Sequence, residues 1–205
     1  MAFELLAPDD DRLAPSADLA LARGQLDRAD VGSGPAAGAV DAHRREVLAY
    51  VEANADAASR SSLRGHLTGS ALVVDATGTR TLLMLHRKLG RWFQPGGHAD
   101  GDTNLAAVAL REATEETGLV GLRVALPAID VDIHRVEPPG EPPHLHLDTR
   151  FLVVAPAGAC EAGNEESLAL RWVAEADLDD LDPPIDPGTR RLVARGLSVA
   201  RGLLR

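Results

Sequence analysis

The sequence predicts an α/β sandwich built around a mixed β-sheet. Two apolar, partly β-branched runs form a hairpin signal ahead of one strongly patterned central helix. Further strand-like runs follow that helix, and a second long helix closes the chain. Strands, one helix, more strands and a terminal helix are the order expected of helices packed on both faces of a sheet.

The elements read as follows. Residues 1–38 are rich in Ala, Asp, Gly and Pro, and residues 17–29 fit a helix. The rest of this stretch reads as a loose, partly flexible extension. Residues 39–62 are expected to hold a helix that packs on the domain. Asp41 would cap it, Val47, Leu48 and Val51 would form its apolar stripe, and it would run to about Ser59. A main domain then spans residues 63–205. LTGSALVVD and TLLMLHR, separated by ATGT, make the hairpin. KLGRWFQPGG leaves the strand as a loop punctuated by Gly and Pro. A helix covers about Thr103 to Thr117 and stops at Gly118. LRVAL, AIDVDIHRV, HLHLDTRFLVV and SLALRWV read as strands, and Pro187 to Leu204 as the last helix.

Composition narrows the function classes. The chain has 205 residues, 45% hydrophobic and 25% charged, ordinary values for a domain with a real core. No run approaches the roughly 20 apolar residues of a membrane span, and the N-terminus lacks the pattern of a signal peptide. Cys160 is the only cysteine, which excludes an intrachain disulfide and fits a reducing, cytoplasmic setting. The formal net charge of -10, with no basic cluster, argues against nucleic-acid binding. An acidic chain handles phosphorylated substrates when metal cations sit between carboxylate and phosphate.

The central helix carries that chemistry. Residues three and four apart share a helix face, so Glu112, Glu115 and Glu116 are expected to cluster. Leu105, Ala106, Ala109, Leu110 and Ala113 form the adjacent apolar arc. Like charges at this spacing, at the negative end of the helix dipole, destabilise the helix until a cation neutralises them. Hard carboxylate oxygens suit Mg²⁺ or Mn²⁺. A solvated acidic face would explain the glutamates alone, but not their spacing from Arg111 and Gly118. Chance occurrence of R-E-x-x-E-E-x-G in such a chain is roughly one in several thousand.

Gly97 to Leu119 resembles the Nudix box, G-x5-E-x7-R-E-U-x-E-E-x-G-U, at Gly97, Arg111, Glu112, Glu115, Glu116, Gly118 and Leu119. Thr103 stands in place of the first glutamate and Ala113 in place of the bulky aliphatic residue. Trp92-Phe93-Gln94-Pro95-Gly96, and Glu165-Glu166 before a Trp-containing strand, also resemble flanking features of that family. The resemblance covers about residues 64–204. It implies an α/β/α sandwich with the box as loop-helix-loop. It also implies a hydrolase that cleaves a phosphoanhydride bond in a nucleoside diphosphate derivative with Mg²⁺ or Mn²⁺. Glu112, Glu115 and Glu116 would hold the metal, Arg111 would orient them, and Gly97 and Gly118 would let the loops turn. With Thr103 in the box, the site is expected to bind one metal fewer or more weakly, with Asp100 or Asp102 as substitutes.

Other residues are weighed individually. Alternation places His144, His146 and Asp148 on one strand face, opposite Asp130, Asp132 and His134 on a partner strand. The first three are read as lining the substrate pocket or assisting a metal. Arg87, Lys88, Arg91 and Arg150 are candidate phosphate contacts, although each alone is more often an ordinary surface charge. Trp92 or Phe93 could stack on a base, with core packing the default for Phe93; Tyr50 and Trp172 read as structural. The general base is expected in the box first, with Glu165 and Glu166 as alternatives. A nucleotide-sensing module without catalysis is the rival reading, and the intact box glutamates weigh against it. A prenyl diphosphate isomerase would want a pocket cysteine, for which Cys160 is poorly placed. The expected partner is a small nucleotide substrate. Residues 1–38 could close over the pocket, mediate a homodimer or stay loose.

Overall fold

A computed structural model of the chain describes residues 2–137, 140, 142–165 and 167–205. Among the described residues, nine strands form one mixed sheet. The strands are β1 (Glu4–Leu6), β2 (Gly65–Val74), β3 (Arg80–His86), β4 (Arg91–Phe93), β5 (Gly96–His98), β6 (Arg123–Leu126), β7 (Asp130–Val136), β8 (His144–Val154) and β9 (Ser167–Ala174). The helices are α1 (Leu19–Asp27), α2 (Ala37–Ala53), α3 (Leu105–Thr117) and α4 (Pro187–Leu203). The central pair, β2 and β8, is parallel along its whole length. Every other pairing is antiparallel.

The period of two along β2 and β8 sorts the core into two layers. Leu67, Ala71, Val73, Leu147, Phe151 and Val153 face α1, α2 and α3. Leu72, Val74, Leu152 and Val154 face α4 through Leu192, Val193, Leu197 and Ala200. The sheet is thus covered on both faces, as the patterning predicts. α3 ends where Gly118 takes φ 66°, a left-handed turn open to glycine at no steric cost.

Three local expectations are corrected. α2 begins at Ala37 rather than at Asp41 and ends at Ala53 rather than near Ser59. The alanine-rich stretch extends the helix backwards without a side-chain cap, and Asp41 lies inside it, paired with Arg44 and Arg45. The loop KLGRWFQPGG contains two short strands, β4 and β5, held by pairing to β3 and β2.

The third correction concerns residues 2–31, which pack into the fold. β1 extends the sheet along β6, and Leu6, Leu13, Ala22 and Leu26 are buried. The docking point is the start of α3. The Asn104 side-chain amide donates to the Arg12 and Ala14 carbonyls at 2.9 and 3.0 Å, and its oxygen accepts from Gln25 at 2.8 Å. Thr103, 1% exposed, donates its hydroxyl to the Ser16 and Asp18 carbonyls at 3.1 and 2.8 Å. The residue that departs from the box motif is therefore a clasp for the N-terminal segment.

Asn104→Ala would strand two carbonyls and the Gln25 amide in a dry contact. A loss of roughly 2–3 kcal/mol is expected, seen as a Tm fall of about 4–12 °C. A thermal melt unchanged within error would show that the N-terminal segment is not held here.

Candidate functional site

α3 seats its apolar arc on the sheet, burying Leu105, Ala106, Ala109, Leu110 and Ala113. Its last two turns then present Arg111, Glu112, Glu115 and Glu116 at the edge of β5. Two successive glycines of β5 receive the carboxylates. A Cβ on Gly97 would stand 2.4 Å from Cδ of Glu112, so a larger residue would push the carboxylate out of this position. The Gly96 N–H donates to Glu116 Oε2 at 2.9 Å. Arg111 Nη2 donates to Glu112 Oε1 at 3.0 Å and to the His98 carbonyl at 3.2 Å. One guanidinium thus ties the helix to the loop. Asp102 lies 3.9 Å from Arg111, whereas Asp100 pairs with Arg60.

Glu112 is half-buried, Glu116 buried and Glu115 exposed on the outer shoulder of the helix. The three glutamates thus differ in how deeply they are seated. Among the described residues, the one three-residue group with ligand atoms within 4.8 Å of one another is His66, His98 and His146. The Gly96 amide helps to fix Glu116. The donors at this edge are carboxylate oxygens beside bare backbone, a set that fits a hard divalent cation.

The α4-facing side of the sheet carries a polar block. Cross-strand register aligns His134, His146 and His66 in one row and Asp132, Asp148 and Thr68 in the next. His98 enters from β5, paired beside Thr68. Arg150, 4% exposed, is 2.7 Å from Asp148, 3.0 Å from Asp132 and 3.5 Å from Asp130. Arg191 joins Asp130 and Asp132 at 2.8 and 2.9 Å. Burial would raise the Asp148 carboxyl, but the adjoining Arg150 charge overrides it and leaves the group below the usual carboxylate range. Arg150 and Asp148 thus sit in a closed ion network rather than on an open pocket wall, and Arg150 is already balanced by carboxylates.

The imidazoles behave differently. Burial, reinforced by His98 and His144, lowers His66 to about 4. Burial, reinforced by His134 and His98, lowers His146 to about 3. Both rings are neutral at pH 7. His144 is buried and bonds through Nδ1 to the Pro142 carbonyl oxygen at 2.9 Å.

The remaining candidates separate. Arg87 donates to the Glu165 and Ser167 carbonyls at 2.8 and 3.1 Å, so it braces that loop instead of reaching outward. The same loop is tied to the end of α3 by the Ala162 N–H on the Thr117 carbonyl at 2.7 Å, which keeps exposed Glu165 near the box helix. Glu166 lies outside the described residues. Arg91 is exposed on β4. Trp92 is buried in the α4 layer with its indole N–H on the Asp182 carbonyl, while Phe93 is the half-buried ring. Sequence reasoning missed His66 and His98. His98 stood beside Gly97, but only the pairings of β2 with β8 and β5 bring these rings together.

A family model described as the NUDIX domain matches residues 66–196. "Putative 8-oxo-dGTP diphosphatase 3" of Mycobacterium tuberculosis is 38% identical over 123 residues, 54% of this chain and 51% of that protein. The chain spans about half the length of the curated relatives it matches. A NUDIX family hydrolase from Clostridium perfringens superposes with a TM-score of 0.51 at 22% identity, covering 65% of this chain and 97% of its own. A C. elegans Ap4A hydrolase in a binary complex gives 0.54 at 16%, covering 66% and 98%. At these identities the two structures speak to the fold alone.

The buried imidazoles set a pH dependence of stability. Their folded pKa values lie below the unfolded value of about 6.5, so the unfolded chain binds more protons between there and about pH 4. Stability is full above that window and is lost as pH falls through it, by roughly 3 kcal/mol for His66 alone. In chelator-containing buffer, Tm should drop from about pH 7 to about pH 4.5. His66→Asn should flatten this slope; a wild-type Tm already flat over the window would contradict the assignment.

Proposed function

The chain belongs to the NUDIX domain family, and on that premise we propose that it hydrolyses a phosphoanhydride bond in a nucleoside diphosphate derivative, with a divalent cation. The observation that carries the proposal is the seating of Glu112 and Glu116 on the two glycines of β5, with Arg111 joining helix and loop. Glu112 and Glu116 would hold Mg²⁺ or Mn²⁺, with Glu115 reaching in from the shoulder. When bound, the cation supplies charge neutralisation of the phosphate oxygens and a more acidic water.

The chain's own groups do the rest. Arg111 holds the Glu112 carboxylate in one orientation, and the Gly96 N–H does the same for Glu116. A water oxygen forms a bond to one phosphorus as the bridging P–O bond breaks. The proton from water passes to a box carboxylate, and the leaving phosphate departs as an oxyanion. Glu165 stays close through the loop that Arg87 braces, and we place it as a neighbour rather than the base. The acidic net charge is no obstacle, since a cation held by Glu112 and Glu116 would offset it at the site.

The name of the M. tuberculosis relative adds an oxidised purine triphosphate to the substrate classes to be tried. The others are sugar nucleotides, dinucleotide cofactors and dinucleoside polyphosphates. The decisive measurement is product release from such a panel with Mg²⁺ or Mn²⁺. Glu116→Gln should lower kcat on the best substrate by about 100-fold or more while Tm stays near wild type, and Glu165→Gln should cost less than about tenfold. Full activity in Glu116→Gln would end the proposal, and a larger loss in Glu165→Gln would move the base to that loop.

Thr103→Glu is a separate test of the clasp. It would place a carboxylate against the Ser16 and Asp18 carbonyls. Lower stability is expected with no gain in Mg²⁺ affinity; an unchanged Tm with tighter Mg²⁺ binding would restore Thr103 to the metal site.

A further inference from the structure

We propose that His66, His98 and His146 form a second metal site, one for a borderline-soft ion of the Zn²⁺ class, which pins the box loop to the sheet. Three strands deliver the three rings. His66 of β2 is in register with His146 of the parallel neighbour β8, and His98 of β5 pairs beside Thr68 of β2. The ring centroids are 4.9, 5.2 and 5.0 Å apart for the pairs 66–98, 66–146 and 98–146. One ligand nitrogen from each falls within 4.8 Å of the other two. A tetrahedral ion at ordinary Zn–N lengths needs nitrogens about 3.3 Å apart, so the rings would draw together by up to about 1.5 Å to hold it.

A second observation points to a ligand. His66 is 2% exposed, yet neither of its ring nitrogens has a hydrogen-bond partner of ordinary geometry among the described residues, although the Ser62 backbone lies near. His146 Nε2 is also buried and unpartnered. Buried polar nitrogens are expensive to leave unpaired, and three imidazoles side by side offer one another few complementary bonds. An ion removes that cost, because each ring gives it a lone pair.

The surrounding charge agrees with a cation. Asp148 favours positive charge at His146, and Asp130, Asp132 and Asp148 meet Arg150 and Arg191, with His43 and His134 also against Asp132. The donor chemistry also separates this site from the box. Imidazole nitrogen selects Zn²⁺-like ions, whereas the box edge offers only carboxylate oxygen, suited to Mg²⁺ or Mn²⁺. Because the Arg111 side chain bonds the His98 carbonyl and Glu112 rests on Gly97, an ion on His98 would also hold the box carboxylates in place.

The experiment is a Co²⁺ titration of the full chain, first freed of metal and then kept in excess Mg²⁺, followed by visible absorption and repeated as Zn²⁺ competition. One equivalent of Co²⁺ should give the intense bands of a four-coordinate nitrogen site, and Zn²⁺ should bleach them. His146→Gln and His98→Asn should each weaken binding by about 100-fold or more while circular dichroism stays native. Glu112→Gln with Glu116→Gln should keep the spectrum, which separates this site from the catalytic reading. Absence of the bands in wild type, their survival in a folded His146→Gln chain, or their loss in the glutamate variant would each overturn the assignment.

Discussion

The contact that the rest of the site depends on is the carboxylate of Glu112 lying against the bare Cα of Gly97. It constrains both sides at once. Glycine there lets the carboxylate lie so close, because a Cβ would displace it. The helix must arrive with its glutamates at the edge of β5, which the buried arc from Leu105 to Ala113 enforces. Arg111 completes the arrangement by bonding both the glutamate and the loop carbonyl of His98. Negative charge is thereby concentrated at one edge of a well-packed sheet. Arg111 and the Gly96 N–H oppose part of its repulsion, and a cation there would be favourable.

The same principle explains what was and was not legible in the sequence. The strands and α3 were readable because their signals are local: period-two runs for β2, β3 and β8, and an apolar arc ended by Gly118 for the helix. Glu112 and Glu116 were readable because helical spacing fixes their angular positions. Glu115 is exposed where Glu116 is buried, and this was not readable, because spacing gives the direction of a Cβ and not how deeply the side chain is seated. β4 and β5 were hidden in a Gly- and Pro-marked loop because short strands owe their existence to pairing with β3 and β2. Arg150 read as a phosphate contact for a similar reason. Its three carboxylate partners lie on its own strand and on β7, and only the register closes them around it.

The N-terminal segment is the clearest case of tertiary contacts overriding composition. Its Asp-, Gly- and Pro-rich stretches have weak local preferences, yet Asn104, Thr103 and Gln25 gather its carbonyls into a buried clasp at the start of α3. Thr103 is then understandable in physical terms. A glutamate at that buried position would bring an anion against the Ser16 and Asp18 carbonyl oxygens. The motif and the N-terminal segment are therefore linked, since the segment's docking excludes the residue that the motif prefers.

The polar block on the opposite face follows from a related competition. A sheet buried on both sides normally fills its interior with apolar residues, as β2 and β8 do at their C-terminal halves through Leu72, Val74, Leu152 and Val154. At their N-terminal halves the same face carries His, Asp, Thr and Ser instead. Asp148 recovers its lost hydration from Arg150 and from the Thr68 and Ser70 hydroxyls. In the imidazole row His134 bonds Asp132, whereas both ring nitrogens of His66 and Nε2 of His146 are buried without such a partner among the described residues. The ion proposed on His66, His98 and His146 would meet the desolvation cost at the buried His66 and His146 nitrogens with a single shared ligand.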